Sequence, residues 1–71
     1  MNSSQRKKVK HILNKADNIF PTWRNARTKS AIAFRNTIIQ QLKDSNLTIE
    51  DIILVTSISY DKVFEAIHNK N

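Results

Sequence analysis

Nowhere in its 71 residues does this chain contain a glycine, and that absence narrows the folds open to it more than any other feature. Loops that cradle phosphates need glycine so that the backbone can approach the ligand, so Walker and dinucleotide fingerprints are missing. Tight hairpins need residues with positive φ, commonly supplied by glycine or Asn-Gly. A β-rich fold is therefore disfavoured, and an all-α domain is expected. A single domain of this size buries only about 60% of the surface its unfolded chain exposes. Its core is thin, and a second copy or a larger partner would add stability.

Other chemistry is narrowed by what else is missing. There is no cysteine, hence no disulfide framework and no thiolate metal site. His11 and His68 are too few and too far apart for zinc. No apolar run approaches the roughly 20 residues of a membrane span, and no secretory apolar core is visible. A cytoplasmic protein without a membrane partner, metal, cofactor or small-molecule substrate is expected. The abundance of Ile, Asn and Lys reads as coding bias of an AT-rich genome.

Charge divides the chain in two. Residues 1–43 hold ten Lys and Arg against Asp17 alone, ten minus one, or +9. Residues 44–71 hold Lys62 and Lys70 against five acids, two minus five, or −3. Together they give the net +6. A block as basic as the first favours a polyanion such as nucleic acid.

Spacing then places the elements. In "SSQRKKVKHILNKADNIF" the apolar residues Val9, Ile12, Leu13, Ala16, Ile19 and Phe20 recur at three and four, the period of one helical face. The leading serines are candidate caps, and Pro21 should end the helix at Phe20. Thr22 is the candidate cap of a second helix over about residues 23–44. Its expected inward set is Trp23, Ala26, Ser30, Ala33, Phe34, Thr37, Ile38 and Leu42. "DSN" closes it. Thr48 and Asp51 have capping-box spacing for a third helix, with Ile49, Ile52, Ile53 and Val55 inward and Leu54 less so. Ser59 caps a fourth, Asp61 favours its positive end, and Val63, Phe64 and Ile67 are its apolar set. The end, "HNKN", is expected to fray. The expected architecture is one compact four-helix domain, a basic part over 1–46 and a helix pair over 47–69.

Residues 48–67 resemble the helix-turn-helix of bacterial regulators, resolvases and sigma-factor promoter-reading domains. Thr48, Glu50, Asp51 and Ile52 match its first helix. Ile58 and Ser59 match the turn, and Val63, Ala66 and Ile67 match the second helix. Two positions depart from it: Ile53 stands where alanine is usual, and Ser57 where a left-handed glycine is usual. The resemblance implies that Ile52, Ile58, Val63 and Ile67 lock two helices together, and that Tyr60, Asp61, Lys62 and Glu65 face DNA. It covers about 20 residues, and a fold does not fix a function.

Two functions fit these residues. In the first, the chain is a small non-enzymatic DNA-binding protein, a regulator or accessory factor of a bacterium, phage or other mobile element, plausibly a dimer. Arg6, Lys7, Lys8, Lys10, Arg24, Arg27, Lys29 and Arg35 would anchor phosphates, and Ser59, Tyr60 and Lys62 would contact DNA from the last helix. Against it, standard readers present Arg, Lys, Gln or Asn to base edges, whereas Asp61 and Glu65 would be repelled by phosphates. In the second, the chain is an accessory subunit of a replication or recombination enzyme. It would dock on a larger protein through Tyr60, Asp61, Phe64 and Glu65. The basic residues are otherwise a solvated face, Ser59 and Asp61 are otherwise caps, and Trp23 is expected in the core. No catalytic constellation is apparent, and a membrane-surface role for the basic end is disfavoured because that helix is needed to cover the core.

Overall fold

A computed structural model describes residues 1–68; of the end expected to fray, "HNKN", His68 is helical and 69–71 lie outside the described residues. Asn2, rather than the serines, starts the first helix. Its side chain accepts from the Gln5 N–H at 2.8 Å, and Gln5 Oε1 accepts from the Asn2 N–H at 3.0 Å. This reciprocal box satisfies two otherwise orphaned donors. Helix α1 runs Ser3–Ile19 and stops at Phe20, as Pro21 requires. Val9 and Ala16 are its buried residues, with Ile12, Leu13 and Phe20 packed beside them; Ile19, expected inside, is exposed.

The second helix begins later than its spacing suggests. Thr22 makes no capping bond, and Trp23–Asn25 forms only a short 3-10 turn. Ala26 is then extended, at φ −59° and ψ 130°. Thr28 is the true cap, its hydroxyl accepting from the Ala31 N–H at 3.2 Å. Helix α2 is therefore Lys29–Asp44. Because Trp23 sits beyond a break, counting from it gives the wrong phase. The buried face is Ala31, Arg35, Ile38, Ile39 and Leu42, while Ser30, Ala33 and Thr37 are exposed and Ala26 and Phe34 half-buried.

Asp44, Ser45 and Asn46 close α2 as a turn, with Asn46 left-handed at φ 67°. Asparagine tolerates that geometry better than most residues. Gln5 reaches this turn from α1, donating to the Ser45 and Asn46 carbonyls at 3.2 and 3.3 Å. Helix α3, Ile49–Thr56, begins with the expected Thr48–Asp51 capping box. It ends at Ser57 with φ 62° and ψ 20°. Helix α4, Tyr60–His68, follows after two further residues, and the Ser59 carbonyl accepts its first bond from the Val63 N–H at 3.1 Å.

The corner is held from within. The buried Thr56 hydroxyl donates to the Ile52 carbonyl at 2.7 Å and accepts from the Ile58 N–H at 3.2 Å. Ile52, Ile58, Val63 and Ile67 are all buried there. Helix α2 is the centre of the molecule, packing against α1, α3, α4 and the Trp23 turn. Trp23, Ile39, Leu42, Leu47, Ile52 and Val63 are sealed completely, each apolar side chain contributing about 1.5–3 kcal/mol. The described residues are all-α without a strand, and none of their helices is long and apolar enough to cross a membrane.

Candidate nucleic-acid interface

Helix α1 turns about 100° per residue, so its inward residues fix where its cations point. With Val9 and Ala16 on the core, Lys7 and His11 lie on the far side. Lys8 and Lys15 take one flank, and Arg6 and Lys10 the other. All six are exposed, over roughly 14 Å of helix between Arg6 and Lys15 at 1.5 Å per residue. Holding them this way does not help the fold. Cations near a helix N-terminus oppose its dipole, and like charges four apart, such as Arg6 and Lys10, repel. No acid stands in the first turn of α1 to offset them.

Nor is this charge neutralised elsewhere. Among the described residues one ion pair forms, Arg24 to Asp17 at 2.9 Å. The same Asp17 oxygen accepts from the Trp23 indole N–H at 2.8 Å, and the Arg24 guanidinium lies 4.8 Å from the Trp23 ring centre. The one acid of residues 1–43 is thus used to seat the tryptophan and hold Arg24. Among the described residues, Arg6, Lys7, Lys8, Lys10, Lys15, Arg27, Lys29 and Lys43 have no carboxylate within ion-pair distance. No family model matches the chain, and no curated protein or solved structure matches it.

The other expected cations separate into two groups. Arg27 and Lys29 are exposed on either side of the Thr28 cap, where α2 also begins without an acid. Their charge adds to the positive end of that helix. The Thr28 cap was the signal for this site, and it is a single threonine seven residues from the Pro21 break. Arg35 is a correction. It was expected among the phosphate anchors but is 6% exposed, on the face that carries Ala31, Ile38 and Ile39 into the core. Its side chain does not share the outer surface with the other cations. Its Nε has no hydrogen-bond partner, and NH2 reaches Asn36 Oδ1 only at 3.5 Å.

On α4 the expected contact residues are all exposed, yet they do not share one face. Tyr60 and Lys62 are about 200° apart around the helix. Asp61 and Glu65 occupy the middle of the outer surface between them, opposite the buried Val63, Ala66 and Ile67. Beside the acids runs an aromatic ladder that spacing alone did not reveal. The Tyr60 and Phe64 rings stack with centroids 5.9 Å apart, and Phe64 meets His68 at 4.2 Å. Phe64, read both as part of the apolar set of α4 and as a docking residue in the second function, is 43% exposed, and Tyr60 is 54% exposed.

Proposed function

We propose that this chain is a small non-enzymatic DNA-binding protein whose first helix anchors the phosphate backbone. The carrying observation is that α1 holds exposed cations on three sides without a neutralising acid, at a cost to its own stability. Arg6, Lys7, Lys8 and Lys10 supply the main attraction, and Arg27 and Lys29 extend it to the start of α2. Backbone contact of this kind releases counterions and is strongly salt dependent. It positions a protein without specifying a sequence.

The α3–α4 pair is the part suited to a groove. Supporting this are the left-handed Ser57, the four buried residues locking the pair, and the exposure of Ser59, Tyr60 and Lys62. The acids in the middle of α4 make that contact a matter of its edges, with Lys62 on one and Tyr60 on the other. A regulator or accessory factor that binds tightly to phosphate and reads bases weakly fits this distribution.

The test is binding to random-sequence duplex and to single strand across a salt series. Affinity is expected to fall linearly on a log–log plot, and Lys7→Glu with Lys10→Glu should abolish binding at moderate salt. Affinity indifferent to those two changes would remove α1 from the interface.

A further inference from the structure

The outer face of α4 has no part in phosphate anchoring. It presents an aromatic ladder, Tyr60–Phe64–His68, with Asp61 and Glu65 alongside. Among the described residues neither acid has a cation within ion-pair distance. Asp61 has a local reason to exist, at the positive end of the helix. Glu65 and the exposed Phe64 have none. The surface that would satisfy them joins apolar area with positive charge.

Such a surface exists on this same chain. Between Lys7, Lys8, His11, Ile12 and Ser45 lies a shallow dent of about 300 Å³. Ile12 supplies apolar area to its lining, and Lys7 and Lys8 supply charge. Lysine routinely covers apolar area with its stem while its charge stays in water. Asp61 and Glu65 are four residues apart on α4 and span about 6 Å, and the cations Lys7 and Lys8 stand side by side on α1. Within one molecule the two faces cannot meet, because α1 and α4 both pack on α2 from their inner sides.

We propose that α4 of one molecule docks on α1 of a second, with Phe64 in the dent and Asp61 and Glu65 against the lysines. The two faces differ, so the contact is heterologous and each molecule keeps one of each face free. Association of this kind extends head to tail rather than closing at a dimer. Lysine ammonium groups beside the Tyr60 and Phe64 rings add a cation–π component. A contact confined to two short helix faces is small, which places it among weak and transient interfaces.

Sedimentation equilibrium of the full chain, without nucleic acid, tests this. At about 50 mM salt the weight-average mass should climb steadily with concentration, and at about 500 mM it should return to monomer as charges are screened. Phe64→Ser, Glu65→Lys and Lys8→Glu should each weaken association about tenfold or more, with helical circular dichroism unchanged because all three positions are exposed. Mixing Glu65→Lys with Lys8→Glu should restore association, since contacts between the two variants alternate between the native acid–base pair and the same pair reversed. A monomer at every concentration overturns the proposal. So does a mass that stops at dimer, association indifferent to these variants, or a mixture that stays monomeric.

Discussion

Asp17 and Trp23 are joined by a 2.8 Å bond from the indole N–H to a carboxylate oxygen, and Arg24 donates to that same oxygen at 2.9 Å. The tryptophan is wholly buried, so its N–H has lost water and depends on this acceptor. Asp17→Ala should cost about 1–3 kcal/mol, the penalty for an unpaired buried donor. Asp17→Asn keeps an oxygen in place and should retain most of that stability. Urea unfolding of the two variants side by side measures the difference.

The same pair sets a charge experiment. Arg24 is already held by an acid, whereas Lys7 is not. Lys7→Gln should lower the slope of log affinity against log salt by about one ion, and Arg24→Gln should lower it by less. Asp17→Asn should raise the slope, because it releases Arg24. Equal effects at Lys7 and Arg24 would mean that the ion pair does not shape the surface potential.

How much of this was legible in the sequence depends on whether the information was local. The Thr48–Asp51 box lies within four residues, and α3 starts where it predicts. The Ser57 corner was expected from the helix-turn-helix resemblance, and the chain does turn left-handed there. The start of α2 was lost because Thr22 and Thr28 are both plausible caps, and only the path of the chain around Trp23 decides between them. That error shifted the expected inward face and put Arg35 outside. An arginine amid a helix is outward by default, and nothing near it in sequence says otherwise. Phe64 was read two ways, as apolar set and as docking residue, for the same reason. Phe64 lies next to Val63, and one step around the helix separates a buried side chain from an exposed one.

Ser57 gives a prediction at the corner itself. A residue with a Cβ at φ 62° pays a steric cost that glycine avoids. Ser57→Gly should stabilise the domain by about 0.5–1 kcal/mol, partly offset by the freer unfolded chain. For a domain of this size that is a rise in Tm of roughly 2–8 °C. Ser57→Val should move it the other way, since a branched side chain suits that region worst.

Gln40 ties the end of α4 to the central helix. Its amide nitrogen donates to the Ala66 carbonyl at 2.8 Å and to Ile67 at 3.3 Å. These are carbonyls near a helix terminus that lack partners within the helix. Gln40→Ala should cost about 1–2 kcal/mol. The loss should be localised: amide exchange in α4 should accelerate more than exchange in α1, since only α4 loses an anchor. Uniform acceleration would point to a global effect of the truncation.

Arg35 separates stability from binding. It is a cation on the core-facing side of α2, 6% exposed, with Nε unpartnered and one weak contact to Asn36. A carboxylate that would repay its desolvation is missing among the described residues. Replacing buried ions with apolar side chains of similar length is often neutral or stabilising by about 1–4 kcal/mol. Arg35→Met keeps the stem and removes the charge, so it should leave stability unchanged or raise it by about 1 kcal/mol or more. It should also leave the salt slope of DNA binding as it was, because a buried guanidinium releases no counterion. Lys29→Met, on the exposed first turn of the same helix, should do the reverse, sparing stability and lowering the slope. If Arg35→Met instead weakens binding as much as Lys29→Met does, the guanidinium swings out to meet phosphate, and its place in the core is only the unbound state.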